Sequence, residues 1–245
     1  MSLDSIFGNR FDAAKFFVTS DNHINHKNIC KGVSSWTGGY RNFTCLDEMN
    51  EAIIGNINKV VPEDGILFDL GDGLFGDKKH AVKYRRQINC KTIYRLYGNH
   101  CQWLRKDKGL QAELFAGCGD YLEIIVNNKL LCLFHYAPAV WNESHRGSWF
   151  LYGHSHGSFP DRVFSNSIDV GMDCEYGLIR NKLVMTTNFN TQYYLDCEQE
   201  TMSKEVKVES VLHERFRPFT FNEISTIMSF KQHTPVDHHS RKDMQ

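Results

Sequence analysis

The sequence predicts an α/β protein with parallel strand pairing, and three observations carry that expectation. Short runs rich in β-branched and aromatic residues recur along the chain. Helical patterns separate the early runs, as they do where parallel strands need crossovers. Five of the runs end in Asp, Asn or His.

The strand-length runs are residues 15–19, 66–70, 92–96, 121–126, 130–134, 149–152 and 192–195. Between the first two lies a helix expected over 47–60, with Met49, Ile53, Ile54, Ile57 and Val60 at helical spacing. A second, more basic helix is expected over 78–88. Asn127-Asn128 between two later runs reads as a hairpin turn. One amphipathic stretch follows at 221–230, and residues 232–245 form a polar tail.

Composition limits the function. With 245 residues, 41% of them hydrophobic, the chain can bury a sizeable core. We expect a single domain over 1–231. Lys+Arg is 28 and Asp+Glu is 29, so the net charge of −1 does not favour bulk capture of nucleic acid or an anionic membrane. The eight cysteines include no C-x-x-C pair. They read as reduced, mostly buried thiols of a cytoplasmic protein. No run approaches roughly 18 apolar residues, so no membrane span is expected, and no signal peptide is visible.

Chemistry enters at the strand ends. Residues 16–20 run into Asp21-Asn22-His23, and 66–70 run into Gly71-Asp72. Residues 93–97 run into Gly98-Asn99-His100, 130–134 into His135, and 149–152 into Gly153-His154-Ser155-His156. In α/β sheets the carboxyl ends of the strands form the ligand crevice. Asp21, His23, Asp72, Asn99, His135, His154 and His156 are therefore expected to converge. A set of imidazoles, carboxylates and one amide oxygen suits Mn, with Fe, Zn or Ni as alternatives, rather than a thiolate site. Seven ligands are too many for one ion. Two divalent ions about 3.5–4 Å apart, bridged by one carboxylate, would use them all and activate water for in-line displacement at phosphorus. Each motif has a bland reading alone: Gly-Asp as a turn, His135 as a core histidine, Gly-His-Ser-His as a structural zinc corner. Five of them at strand ends in a useful order argue for a purpose.

The order D-x-H, G-D, G-N-H, H, G-H-x-H resembles the calcineurin-like metallophosphoesterases. The likeness spans Asp21 to Asp173 and leaves out the C-terminal tail. Asp21-Asn22-His23-Ile24-Asn25-His26-Lys27-Asn28-Ile29, Glu48-Met49-Asn50 and Asp169-Val170-Gly171-Met172-Asp173 also look like a small bacterial and phage branch of that family. The resemblance implies a four-layer α/β/β/α sandwich, two mixed sheets face to face with helices outside. It implies that Asp21, His23, Asp72 and His156 hold one ion. Asp72, Asn99, His135 and His154 would hold the other, with Asp72 bridging. His100 would stay off the metal and protonate the leaving oxygen, or stabilise the charge on it, as metal-bound hydroxide attacks.

Two departures narrow this. The family's Ser/Thr protein phosphatases read G-D-x-x-D-R-G, whereas here Phe75 and Gly76 replace the acid and the Arg. Protein phosphatase activity is not expected. Cys101 stands where many members have an acid after G-N-H, so no orienting partner for His100 is apparent.

His26, three residues after His23, is a candidate substrate-binding residue, with a capping or surface role as its rival. Lys78, Lys79, Lys83, Arg85, Arg86, Arg105, Lys106 and Lys108 would give the crevice a positive field if their loops flank it, or else form a solvated helix face. Trp36, Tyr40, Tyr136 and Trp141 are candidates to stack a base or to fill the core. The expected function is phosphodiester hydrolysis on a small diester or nucleotide. A phosphomonoesterase, a nuclease acting on nucleic acid, and a non-catalytic metal-binding scaffold are the alternatives. A mononuclear iron oxygenase ranks last, because it leaves Asn99, His100 and His154 unexplained. No protein partner is deducible.

Overall fold

The computed structural model describes residues 2–35, 41–159, 165–174 and 216–234. Among these, strands β1 (Arg10–Phe11), β2 (Phe16–Thr19), β3 (Ile66–Asp69), β4 (Thr92–Leu96) and β5 (Gly117–Gly119) occupy the first half of the chain. Strands β6 (Tyr121–Val126), β7 (Lys129–Phe134), β8 (Trp149–Tyr152), β9 (Ser167–Asp169) and β10 (Phe219–Thr220) follow. The helices are α1 (Leu46–Val60), α2 (Lys78–Arg85), α3 (Gln102–Lys106), α4 (Lys108–Leu114) and α5 (Phe221–Ser229).

The architecture is α/β, built on two five-stranded mixed sheets with flanking helices. One sheet runs β10-β2-β3-β4-β5, parallel except for β10. The other runs β1-β6-β7-β8-β9, with only the β6–β7 pair antiparallel. All four residues of β2 are buried, because both faces of its sheet are covered. Phe16 and Val18 join Phe68, Leu96, Leu122, Ile124, Leu133 and Leu151 in the core between the sheets. Phe17, Leu67 and Ile93 point the other way, onto Met49, Ile53 and Ile57 of α1 and Tyr84 of α2. The apolar stripe read in the sequence is thus the buried face of α1. Helix α5 opens with a Thr220–Glu223 capping box and sends Phe221, Ile224, Ile227 and Met228 into the inter-sheet core.

Six of the expected strands lie within a residue of their predicted bounds; the run at 192–195 lies outside the described residues. Asn127 (φ 48°) and Asn128 (φ 61°) form the two-residue turn between β6 and β7, both in the left-handed conformation of a type I′ hairpin. Helix α2 stops at Arg85, short of residue 88. The Arg85 guanidinium donates to the carbonyls of Ile88, Cys90 and Leu114 and so pins the turn that enters β4. The two-residue strands β1 and β10 and the short helices α3 and α4 carry too few residues for a periodic signal. Cys30, Cys45, Cys90, Cys101, Cys118 and Cys132 are free thiols, all buried but Cys45, and Cys197 lies outside the described residues. No helix among the described residues is long and apolar enough to cross a membrane.

The topology positions the site. β2, β3 and β4 run parallel and so end on one edge of their sheet, as β7, β8 and β9 do on theirs. The two edges meet, because Ser20 after β2 bridges in parallel to Gly171 after β9.

Candidate metal centre

Just past each carrier strand the backbone turns sharply. Asp21, His23, Asp72, His154 and His156 all have left-handed φ, between 48° and 69°. That conformation costs a non-glycine residue on the order of 1–3 kcal/mol and persists only where surroundings impose it. Here hydrogen bonds between strand ends impose it. Asp21 N donates to Gly71 O at 3.0 Å, His23 N to Asp72 O at 2.9 Å, and Gly153 N to His135 O at 3.0 Å. The carboxylates act as struts too. His154 N donates to Asp21 Oδ2 at 2.7 Å, and His100 N to Asp72 Oδ1 at 2.9 Å.

Two glycines make this crowding possible. A Cβ at Gly98 would overlap the Asp72 carboxylate, and one at Gly153 would overlap Ser20 Oγ and Asp21 Oδ2. Gly98→Ala and Gly153→Ala are each expected to displace a ligand, lose on the order of 1–3 kcal/mol of stability, and weaken metal binding. Melting curves and metal analysis of the two variants check this; unchanged metal content in both would contradict it.

The donors fall into two groups. Asp21, His23 and His156 form one; Asp72, His135 and His154 form the other; within each, the ligand atoms lie inside 4.8 Å. In the first group His23 Nε2 and His156 Nε2 face each other at 3.2 Å, each 3.9 Å from Asp21 Oδ1. In the second, His135 Nε2 is 3.4 Å from Asp72 Oδ2. Asn99 joins this group through Oδ1, 3.2 Å from His135 Nε2 and 3.0 Å from His154 Nδ1. All seven sequence-derived ligand candidates therefore meet at one edge of the sandwich.

Asp21 Oδ1 is buried and has no hydrogen-bond donor. Two imidazole nitrogens 3.2 Å apart need a proton or a cation between them. A nitrogen-rich set with hard carboxylate oxygens fits a divalent transition ion. Outer partners fix the rings. His135 Nδ1 contacts Leu70 O at 3.0 Å, and His156 Nδ1 contacts Asp173 Oδ2 at 2.8 Å. Such contacts leave the opposite nitrogen free to ligate.

Electrostatics match a site that expects positive charge. Burial, with the charges of Arg41 and His156, holds His23 well below its usual range, so it is neutral. Burial opposes ionisation of Asp72, but the hydrogen bond and charge of His135 outweigh it and hold the carboxyl below its usual range. Burial pushes Asp21 from 3.8 up to about 7. This last shift gives a pH prediction for metal-free protein. Between those two values the folded chain keeps a proton that the unfolded chain has released. Stability from this group is full below about pH 4 and falls as pH rises toward 7. At about 1.4 kcal/mol per unit the loss is on the order of 4 kcal/mol. Chelated Asp21→Asn, which cannot ionise, should melt above chelated wild type at pH 7, with the gap narrowing toward pH 4. A gap independent of pH would contradict this.

The other candidates are placed as follows. His100 is exposed, its ring 5.6 Å from His23 and 4.7 Å from Phe75. Cys101 lies against Asp72, Sγ to Oδ1 3.7 Å, and so contacts the carboxylate. His26 stacks face to face on Phe75 at 3.8 Å, and its Nδ1 is 3.2 Å from His23 Nδ1. Burial and the charge of His100 push His26 down to about 4, so it is neutral near pH 7. Phe75, in the place of the protein phosphatase acid, thus offers rings to both histidines. Tyr136 packs beside His154 at 4.6 Å and is 37% exposed. Trp141 is structural, its Nε1 donating to Ser148 Oγ at 2.9 Å. Of the basic residues, Arg85 binds backbone carbonyls and Arg105 pairs with Asp120 at 2.5 Å, so neither belongs to a free positive field. Trp36 and Tyr40 lie outside the described residues.

The sequence reading missed Arg41, Asp69 and Asp169, and assigned Asp173 no role. Asp69 accepts from Asn22 Nδ2 at 3.1 Å and pairs with Arg95 at 2.9 Å, bracing the turns of two ligand loops. Asp169 accepts from Ser155 Oγ and from Gly171 N, joining the His154–His156 loop to β9. Acids as the last residue of a strand, Asp69 of β3 and Asp169 of β9, were the available signal. Arg41 gave none.

No protein-family model matches the chain. It is similar to the uncharacterized protein MJ1445 of Methanocaldococcus jannaschii, 28% identical over 150 residues, which is 60% of this chain and 72% of the relative. Among solved structures it is similar to the protein of unknown function AQ665 from Aquifex aeolicus. That match has a TM-score of 0.48 and 20% identity, and covers 67% of this chain and 91% of the other.

Proposed function

We propose that the chain is a dinuclear-metal phosphoester hydrolase of the calcineurin-like kind, acting on a small phosphodiester or nucleotide in the cytoplasm. The observation that carries this is the pair of N/O donor groups at one sheet edge, Asp21–His23–His156 and Asp72–His135–His154 with Asn99, the first holding a buried carboxylate oxygen with no protein donor. Asp21, His23 and His156 would hold one ion. Asn99, His135 and His154 would hold the other, with Asp72 shared. Manganese is the ion of choice, with iron, zinc or nickel as alternatives. Bound divalent ions would supply Lewis-acid charge and an activated water.

The chain's own residues do the rest. Asp72 brings negative charge into a buried site, and the backbone hydrogen bonds of Asp21 and Asp72 hold the ligand loops in place before any substrate arrives. His100 sits beside the donors without joining either group, free to give a proton to the leaving oxygen. Neutral His26, fixed on the Phe75 ring, offers hydrogen bonding without charge. The Phe75 ring and neutral His26, with Gly76 in place of an Arg, support a diester over a dianionic monoester. The free cysteines support the cytoplasmic setting.

The test is turnover of bis-p-nitrophenyl phosphate, p-nitrophenyl phosphate and a nucleotide panel by Mn²⁺-loaded protein. Diester cleavage exceeding monoester cleavage is the expected result. No cleavage of any phosphoester under any of the four metals would reject the reading. Native folding with metal bound and no turnover would favour the scaffold alternative.

A further inference from the structure

Arg41 is among the largest fully buried side chains of the protein, and it lies against the metal centre without contributing a ligand. Its guanidinium grips the Asp173 carboxylate with two hydrogen bonds, Nε to Oδ1 at 2.9 Å and Nη2 to Oδ2 at 2.6 Å. Nη1 donates to Asn22 O at 2.7 Å, and Nη2 also donates to Asp21 O at 2.6 Å. The guanidinium lies over the Phe216 ring, 5.2 Å from its centroid. One side chain thus ties the Asp21 turn, the segment after β9 and the segment entering β10.

Asp173 passes the restraint on. Its Oδ2 also accepts from His156 Nδ1 at 2.8 Å. With the proton on Nδ1, the lone pair of Nε2 is directed toward Asp21 Oδ1 and His23 Nε2. The Asp173 side chain is 4% exposed, so little water can replace either partner. A buried bidentate Arg–carboxylate pair fixes direction as well as distance. Arg41 at the same time holds the carbonyls of Asn22 and of Asp21, whose own backbone is left-handed.

We infer that Arg41 and Asp173 are positioning residues for the Asp21–His23–His156 ion site: they set the tautomer and direction of the His156 ring and the turn that presents Asp21. The inference rests on the metal reading above and adds two residues to which no motif of the sequence had assigned a role.

The test isolates this site by working in a His154→Ala chain, which weakens the other. Mn²⁺ binding is measured by calorimetry, and the His156 tautomer by ¹⁵N NMR of metal-free protein. Asp173→Asn, nearly identical in shape, and Arg41→Ala should each weaken Mn²⁺ binding on the order of 10–100-fold. Arg41→Lys keeps the charge but not the fork and should recover only part of the affinity. In Asp173→Asn the Nδ1–H form of His156 should no longer dominate. Should Arg41→Ala fail to fold, Asp173→Asn decides alone. Unchanged affinity together with an unchanged tautomer in Asp173→Asn overturns the inference. If the His154→Ala chain binds no Mn²⁺ at all, the metal reading fails, and the tautomer still decides the positioning role.

Discussion

Asp72→Asn is expected to strip the bound ions and to lower turnover on the order of 10³-fold or more. The substitution keeps the shape of the side chain, so the fold should survive. What it removes is charge. The Asp72 carboxylate lies 3.4 Å from His135 Nε2, accepts from His100 N, and its charge reaches His23 in the other donor group. It is therefore the acid best placed for both ions to share. Metal charge stabilises a phosphoryl transition state by several kcal/mol. At about 1.4 kcal/mol per factor of ten, losing it gives the magnitude above. Metal analysis after desalting and steady-state kinetics on a diester read both effects. Two ions retained with near-wild-type turnover would show that Asp72 is not shared.

His100→Ala should separate chemistry from metal binding. His100 belongs to neither donor group, and its link to Asp72 is through backbone N, which alanine keeps. Metal content should therefore be unchanged while kcat falls on the order of 10²–10⁴-fold, the range for a lost general acid. A good leaving group needs less protonation. The loss should therefore be smaller for a nitrophenyl ester than for an alkyl or nucleoside ester. The comparison of the two substrates reads this directly. Equal losses on both would make His100 a binding group instead, and a loss of metal would make it a ligand.

The surroundings of His100 follow from the second motif's departure from the protein phosphatases. Phe75 places a ring 4.7 Å from His100 and stacks on His26. Cys101 does not replace the protein phosphatase acid, since its thiol lies against Asp72. Arg85 and Arg105 are held by backbone carbonyls and by Asp120, and so add no free charge to these surroundings.

Much of the fold and most of the site were legible because their causes are local. A helix shows its buried stripe at Met49, Ile53 and Ile57, a strand shows a short apolar run, and the Asn127-Asn128 turn shows two residues that tolerate positive φ. The candidate ligands were legible because each stands within four residues of a strand end, and parallel strands must end on a common edge. That rule alone brought Asp21, Asp72 and Asn99 together, and His135 with His154 and His156. It could not say which donors would share an ion, because the grouping depends on how the two sheets abut at Ser20 and Gly171. Nor could it find Arg41 or the work of Asp173. A buried arginine has no periodic signature, and its partners stand 19, 20 and 132 residues away along the chain. The sequence determined the inventory of candidate ligands, since ligand chemistry belongs to residue types. Tertiary structure alone decided their grouping and restraint, since five left-handed turns persist only where distant hydrogen bonds offset their strain.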